Sequence, residues 1–219
     1  MNLVDLVGWT CAILGSIAIV PQTVKLLRDR NSSGISLPFW QILMGISIAW
    51  AHHGLLTTSP TVILPNVITL VCTLVTLQLL RLERRLGGAQ VFLPGLVLGV
   101  VGALTDLLLG GTAYGLMMAL PGIVGISTQL VEIVRAPEVT GLSQGFLILG
   151  VVTQIAWLSW GIVTDDVAFL INAGLGTALT GLSYLWYLLR RGGLRPLLVP
   201  KTPATVSAAE PTLCVHDVR

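Results

Sequence analysis

Charged residues are scarce in this sequence. Asp, Glu, Lys and Arg make up 10% of its 219 residues, whereas apolar residues make up 54%. A soluble domain carries about 25% charged residues. This composition, with a mean hydropathy of +0.88, therefore excludes an ordinary soluble domain and predicts a polytopic membrane protein. The net charge of +2 gives no indication of nucleic-acid binding.

Cysteines are few, and groupings of catalytic residues are lacking. The three cysteines, Cys11, Cys72 and Cys214, lie far apart and have no metal-binding or redox spacing. We interpret them as packing residues. No Ser/His/Asp or Cys/His grouping and no phosphate-binding loop stands out. The sequence therefore predicts a protein that is not an enzyme and that uses neither a metal nor a cofactor.

Long apolar runs are abundant. A membrane-spanning helix needs about 20 apolar residues, and seven runs approach that length. They are Leu3–Val24, Leu37–Leu56, Val62–Leu80, Val91–Leu109, Tyr114–Val134, Phe146–Val163 and Val167–Leu189. The first run has no basic segment before it and is too long for the core of a signal peptide, so we expect it to be retained.

The basic residues give an expected orientation. All twelve fall in four clusters, which follow the first, third, fifth and seventh runs. The clusters are Lys25/Arg28/Arg30, Arg81/Arg84/Arg85, Arg135, and Arg190/Arg191/Arg195/Lys201/Arg219. With seven spans, all four lie on one side, which the positive-inside rule makes cytoplasmic. We expect a plasma-membrane protein with its N-terminus outside and its C-terminus in the cytoplasm.

The chain contains an internal repeat. Residues 8–54 align without a gap to residues 115–161, at an offset of 107 positions, and 14 of the 47 pairs are identical. The identical pairs include Gly8/Gly115, Gln22/Gln129, Gly34/Gly141, Ser36/Ser143, Phe39/Phe146 and Trp50/Trp157. A period this long in an apolar chain indicates a duplicated membrane unit. Transporters commonly place the substrate site between two such units.

The repeat and the spans together predict the fold class. We expect an all-α membrane protein with two three-helix repeats, residues 1–86 and 112–191. A fourth helix in residues 87–111 lets both repeats insert in the same orientation. Gly87-Gly88 and Gly110-Gly111 are its predicted hinges. Residues 192–219 contain four prolines and no long apolar run, which is typical of a disordered cytoplasmic tail.

A proline–glutamine pair recurs with a turn behind it. Pro21-Gln22 ends the first span, and Gln129 is its counterpart in the fifth. A proline in a helix removes one hydrogen bond and bends the axis, and a buried glutamine can bond across to another helix. Gly-Ile-Ser or Gly-Leu-Ser follows twelve residues after each glutamine, as a turn and a helix cap. The alternative is a kink and a cap without a role in function.

A second pair of motifs lies at the other end of the spans. Trp50 and Trp157 sit near the ends of the second and sixth spans, and Asn66 and Asn172 near the starts of the next ones. A buried amide can hydrogen-bond a polyhydroxyl substrate, and an aromatic face can cover the C–H face of a sugar ring. The alternative is that the tryptophans lie at the membrane interface and the amides bond between helices.

These motifs resemble the PQ-loop family, and the 3+1+3 layout resembles its SWEET and SemiSWEET sugar-transporter branch, over roughly residues 3–190. The resemblance implies a substrate pocket lined by Trp50, Asn66, Trp157 and Asn172. It also implies an inner gate shaped by Pro21, Gln22, Pro38 and Gln129. Repeat two departs from the family pattern, because Thr128 and Gly145 stand where repeat one has Pro21 and Pro38. We therefore expect unequal hinging, with Pro121 as a substitute bend.

Few charges lie within the spans. Lys25 and Glu132 occupy equivalent positions, so we expect either an ion pair at the inner mouth or two side chains that reach the headgroups independently. Asp106 lies near the outer end of the fourth span, outside the repeat. His53 is either a pH sensor or a partly solvated histidine at a helix end.

The resemblance favours facilitated transport of a mono- or disaccharide across the bilayer by alternating access. Two alternatives stay open, namely a proton-coupled amino-acid exporter that uses Glu132 and a non-transporting receptor with the same fold, as in KDEL receptors. The sequence leaves the oligomeric state open, and a homo-oligomer is compatible with it.

Overall fold

The computed structural model describes residues 3–164 and 167–197. These residues form seven α-helices and no strand. The helices are α1 (Leu3–Asp29), α2 (Leu37–Leu56), α3 (Pro60–Glu83), α4 (Gly88–Leu109), α5 (Gly111–Arg135), α6 (Gln144–Thr164) and α7 (Val167–Arg191). Asp165, Asp166 and residues 198–219, which include most of the predicted tail, lie outside the described residues.

The predicted fold class is confirmed. Each helix contains one predicted span, and the helices extend up to five residues further, because polar residues such as Arg28 and Glu83 continue the last turns. Within the described part of the chain, five helices (α1, α3, α4, α5 and α6) are long and apolar enough to cross a membrane. Large apolar side chains cover their outer faces, as at Leu108, which is 74% exposed.

Helix boundaries follow from local chemistry. The Ser36 hydroxyl accepts a hydrogen bond from the Phe39 amide, and Pro38 lies in the first turn of α2. Proline is suited to this place, because the amides of the first turn have no partner within the helix. Gly110 joins α4 to α5 with a φ of 82°, a conformation that glycine adopts without strain, as expected for this predicted hinge.

The two repeats form a closed ring of six helices. In repeat one, α3 packs against both α1 and α2, and in repeat two α7 packs against both α5 and α6. Among the described residues, the repeats meet along two seams, α1 with α6 and α2 with α5. The ring order is therefore α1, α3, α2, α5, α7, α6. The α1–α6 seam and the α2–α5 seam are equivalent, since α1 corresponds to α5 and α2 to α6.

Helix α4 lies outside the ring and packs against α2, α5 and α3. Glycines let it approach α2 closely. A Cβ atom at Gly99 would lie 2.8 Å from the Ile48 Cβ, and one at Gly102 would lie 2.7 Å from the Ala49 Cβ. Small residues at such spacing allow two membrane helices to pack backbone against backbone. Within residues 3–164 and 167–197, the linker helix thus packs against one seam of the ring and not against the other.

The chain folds back after α7. Gly193 has a φ of 102°, and the Leu197 amide donates to the Val134 carbonyl at 3.0 Å. The predicted tail from residue 192 is therefore wrong for residues 192–197, which are ordered against α5. Backbone hydrogen bonds, which the proline content does not reveal, hold this stretch in place.

Candidate functional site

The end of the ring that carries the four basic clusters, here called the basic end, is closed by two glutamines. Gln22 is fully buried. Its Nε2 donates to the Gly141 carbonyl at 3.0 Å, and its Oε1 accepts from the Ser143 amide at 2.7 Å. Both partners belong to the turn between α5 and α6. The side chain of repeat one therefore bonds the backbone turn of repeat two.

Gln129 makes the equivalent contacts in the other direction. Its Nε2 donates to the Gly34 carbonyl at 2.8 Å, and its Oε1 accepts from the Ser36 amide at 3.1 Å. It is 3% exposed. The sequence predicts that each glutamine bonds to another segment, and these bonds are present. Each side-chain amide donates one hydrogen bond to the opposite repeat and accepts one from it. We call these four bonds the glutamine–turn contacts.

An aromatic layer belongs to the same closure. Phe39 and Phe146 are equivalent residues, each three positions after a serine whose hydroxyl accepts from its amide. Their rings meet edge to face, with centroids 5.9 Å apart. Such pairs contribute about 0.5–1.5 kcal/mol beyond the burial of their surface.

Two arginines hold the turns that the glutamines bind. Arg84, just after α3, donates to the Ser32 and Ile35 carbonyls at 2.9 and 2.7 Å. Arg190, at the end of α7, donates to the Ala136 and Pro137 carbonyls at 2.6 and 2.9 Å. Repeat two has one residue fewer between Trp157 and Asn172 than repeat one has between Trp50 and Asn66, so the offset between the repeats is 106 after this point. At that offset Arg84 and Arg190 are equivalent.

The surroundings of the two arginines differ. The Arg84 Nε also donates to the Ser32 hydroxyl at 3.2 Å, and Glu83 accepts from the same serine at 2.9 Å. Burial lowers the pKa of Arg84, and the Glu132 and Glu83 carboxylates oppose that shift. Val139 and Leu189 stand at the equivalent positions in repeat two. Among the described residues, the Arg190 Nε and Nη1 are buried without a hydrogen-bond partner.

A cavity of about 260 Å³ lies between the two repeats. Gln129, Phe39 and Phe146 line it, so the residues that close the basic end also border this space. Pocket volumes for small molecules run from about 300 to 1,000 Å³. The cavity in this conformation lies slightly below that range, which suits a compact ligand.

The two repeats contribute different walls to the cavity. From repeat one come only apolar residues: Ala18, Phe39, Ile42, Leu43 and Ile46. From repeat two come Trp157 and the polar residues Gln129, Thr153, Gln154, Thr180 and Ser183, besides apolar ones. Ile46 and Thr153 are equivalent positions, so the duplication has not kept this polarity. The cavity can therefore offer hydrogen bonds on one side and apolar contact on the other.

The predicted substrate residues do not all meet at this cavity. Trp157 lines it, whereas Trp50 packs edge to face against Tyr114, with centroids 5.0 Å apart. The Asn66 Nδ2 donates to the Val62 carbonyl in its own helix at 2.8 Å. Asn172 lies in α7, but its side chain is outside the described residues. In this conformation the structure places one of the four predicted residues in the cavity wall.

Of the two alternatives for Lys25 and Glu132, the ion pair is not present among the described residues in this conformation. Lys25 pairs with Asp29 one turn further along α1, and Glu132 borders a surface pocket together with Arg84. Equivalent residues need not be neighbours. Helices α1 and α5 lie on opposite sides of the ring and do not pack against each other.

The prolines are placed as the motifs suggest. Pro21 lies within α1 and Pro121 within α5, whereas Pro38 begins α2. A Cβ atom at Gly145 would lie 3.4 Å from the Pro21 Cβ, so Pro21 faces the start of α6 across the α1–α6 seam. The two seams are therefore built with different residues near the hinge.

Sequence reasoning missed several residues of this site. Arg84 and Arg190 were visible in the sequence, but only with the offset of 106 after the lost residue. Phe39 and Phe146 were noted as a repeated pair without a role. Gln154 gave no indication at all, because its counterpart in repeat one is Ser47.

A ring of two parallel three-helix repeats with a linker helix outside it and a cavity at its centre defines a transporter-like membrane protein. The comparisons narrow this class. The chain is 28% identical over 85 residues to the sugar transporter SemiSWEET of Escherichia coli, which is 39% of this chain and 96% of that protein. It is 30% identical over 69 residues to the sugar transporter SemiSWEET of Bradyrhizobium diazoefficiens, which is 31% of this chain and 79% of that protein.

A structure of a eukaryotic SWEET transporter has the same fold, with a TM-score of 0.56 and 12% identity, over 87% of this chain and 100% of that one. No family model matches the chain. The protein belongs to the SWEET and SemiSWEET family. Its relatives are transporters and not enzymes, in agreement with the absence of catalytic groupings in the sequence.

Proposed function

We propose that this protein is a facilitator that moves a small sugar, a mono- or disaccharide, down its gradient across the plasma membrane. The names of its relatives support a sugar as the substrate. The observation that carries the proposal is the cavity, which lies between two repeats that are joined at the basic end by reversible hydrogen bonds.

The cavity chemistry fits a sugar. A sugar ring has hydroxyl groups at its edges and C–H groups on its faces. Gln154, Thr153 and Thr180 offer donors and acceptors, and Trp157 offers a flat apolar face. Asn66, Asn172 and Trp50 are proposed to join the site when the repeats move, since they lie nearer the opposite end, where α2 meets α3 and α6 meets α7.

The closure at the basic end fits alternating access. Opening that end requires the turns to leave the glutamines, and the four bonds are small enough to be exchanged for water, at about 1 kcal/mol net each. Pro21, Pro38, Gln22 and Gln129 are proposed as the residues of this gate. Lys25 and Glu132 are proposed to act there through Asp29 and Arg84 and not with each other.

The orientation follows from the charges. The basic end is proposed to face the cytoplasm, which places the C-terminus inside and the N-terminus outside. The opposite end, formed by the end of α2, the α4–α5 turn and the end of α6, then faces outward.

The test is uptake of a panel of radiolabelled sugars into proteoliposomes that contain the purified protein. We expect saturable uptake that equilibrates without accumulation, and counterflow when the vesicles are preloaded with the same sugar. Trp157→Ala should reduce uptake at least tenfold, whereas Trp9→Ala should not, since Trp9 is not among the cavity residues.

Failure of every sugar in the panel to exchange would refute the proposed substrate class. Binding of a sugar without any flux would instead support a receptor. Accumulation of an amino acid driven by a proton gradient would support the proton-coupled alternative.

A further inference from the structure

The opposite end of the α2–α5 seam contains a group of titratable side chains outside the cavity wall. The His53 Nδ1 lies 2.8 Å from Asp106 Oδ2. The Asp106 side chain, on α4, is 4% exposed, and that of His53 is 20% exposed. A carboxylate this deeply buried in a membrane protein is costly unless a partner compensates its charge.

The same histidine touches repeat two. Its ring stacks on Tyr114 of α5, with centroids 5.0 Å apart and an angle of 17° between the planes. Trp50 packs edge to face against both rings. Tyr114 is fully buried. His53 therefore joins repeat one, the linker helix and repeat two at one point.

The other seam has no such group among the described residues. Trp160 is equivalent to His53 at the offset of 107, and it packs over Gly8 of α1, where an added Cβ would lie 3.1 Å from the indole ring. One seam is thus closed by an indole, which has no basic nitrogen, and the other by an imidazole, which can take up a proton. In the part of the chain that the structure describes, only the α2–α5 seam borders the linker helix that carries Asp106.

The groups that face His53 are few. Asp106 comes from α4, Tyr114 from α5, and His52 from α2 itself, with its Nδ1 at 3.8 Å from the same carboxylate oxygen. Helix α3 contributes no titratable side chain at this end, because its charged residues lie in its last turns. Asp106 is therefore the one negative group near His53 among the described residues.

We propose that His53 and Asp106 form a proton-binding site that holds the α2–α5 seam closed when His53 is protonated. The proton turns a hydrogen bond between a neutral imidazole and a carboxylate into a hydrogen-bonded ion pair, and it removes the net charge buried around Asp106. It also places a cation on the face of Tyr114, which attracts it. When the seam opens, water reaches the pair and these gains are lost.

A proton that binds one state more tightly shifts the population toward that state. A lower pH at the opposite end should therefore favour the closed seam. The proton acts here as a regulator of the proposed transport and not as a coupled substrate, because the site lies outside the cavity wall. This step rests on the proposed function, whereas the closure of the seam does not.

The experiment measures how fast a thiol in the cavity is labelled from the opposite end. Thr180→Cys, in a background with Cys11, Cys72 and Cys214 replaced, is treated with a membrane-impermeant methanethiosulfonate reagent between pH 8 and pH 5.5. Rates are compared between variants at each pH, so that the ionisation of the introduced thiol cancels. His53→Asn is the test, and His52→Asn is the matched control one residue away.

At each pH, the labelling rate of the protein with native His53 is divided by the rate of His53→Asn. This ratio should be about fivefold lower at pH 5.5 than at pH 8. A factor of five corresponds to about 1 kcal/mol. His52→Asn should behave like the native protein. Asp106→Asn and His53→Trp, which supplies the residue of the other seam, should both behave like His53→Asn.

Equal pH profiles for the native protein and His53→Asn would overturn the proposal, as would the loss of the profile in His52→Asn alone. Uptake of the sugar panel by the native protein, in separate vesicles without Thr180→Cys, distinguishes the two proposals. A pH-dependent labelling rate together with no uptake of any sugar by the native protein would refute the transport function and leave the proton site intact.

Discussion

Removal of one glutamine at the basic end should open that end measurably. Gln22 makes two hydrogen bonds to the α5–α6 turn, at 3.0 and 2.7 Å. At about 1 kcal/mol net for each bond, Gln22→Leu should destabilise the closed basic end by about 2 kcal/mol, or roughly thirtyfold in the population of the open form. The leucine has a similar size, so packing changes little.

Pseudo-symmetry sharpens this expectation. Gln129→Leu removes the equivalent two bonds, at 2.8 and 3.1 Å, and should have an effect of the same size. The two sets of bonds share no atoms, so the double variant should lose about 4 kcal/mol, roughly a thousandfold. The population of the open form cannot exceed 100%, so a thousandfold increase is possible only if the open form is rare in the native protein. The double variant therefore tests whether the closed form dominates there.

The assay is the labelling of Thr180→Cys by a membrane-impermeant thiol reagent that is added at the basic end. Gln41→Leu is the matched control. Its amide also donates to two backbone carbonyls, those of Gln90 and Val91 at 2.8 and 3.0 Å, but both lie on the linker helix and not on the other repeat. A thirtyfold faster labelling in Gln22→Leu, with a near-native rate in Gln41→Leu, is the expected result.

Equal labelling rates in Gln22→Leu and the native protein would refute the reasoning. So would an equal acceleration in Gln41→Leu, because the effect would then come from general loosening of the bundle and not from the joint between the repeats.

Three further outcomes are expected. Asn66→Ala and Asn172→Ala should each weaken sugar uptake about 5- to 150-fold at equal amounts of folded protein, because each leaves a hydrogen-bonding partner unpaired. Native uptake in both variants would exclude these residues from the site. Sugar uptake should equilibrate and should not respond to a protonophore, because no carboxylate lines the cavity within the described residues. Accumulation of the sugar against its gradient that a protonophore abolishes would contradict this. Gly99→Leu should lower the melting temperature by about 4–8 °C, because the new side chain clashes with Ile48, whereas Gly181→Leu, where an added Cβ meets nothing within 4 Å, should not.

The sequence was sufficient for the architecture. Apolar runs, the repeat and the position of the basic residues predicted seven helices and a 3+1+3 layout, because each of these depends on local composition or on comparison of the chain with itself. The glutamines and their turns were also visible, since they recur in register. That each glutamine bonds the turn of the other repeat required the ring order, which no local pattern contains.

Two expectations at the site show the limit of reasoning from a duplication. Trp50 and Trp157 are identical in the alignment, but Trp50 meets Tyr114 and His53, whereas Trp157 borders the cavity. Lys25 and Glu132 are equivalent but do not meet, since α1 and α5 do not pack together. Equivalence in sequence predicts a similar place in each repeat, and the neighbours at that place depend on residues outside the repeat, such as Asp106.

The unequal cavity walls affect how many equivalent orientations a ligand can adopt in the cavity. A ring built from two identical halves offers its ligand two equivalent orientations, related by the twofold axis. In this chain Ile46 of repeat one is equivalent to Thr153 of repeat two, and the polar groups lie on one side. The ligand therefore has one favoured orientation, and it gives up a statistical factor of two, about 0.4 kcal/mol of binding free energy. In return, each end of the ligand meets its own set of side chains, so a mutation in either repeat can change the preference for one end alone.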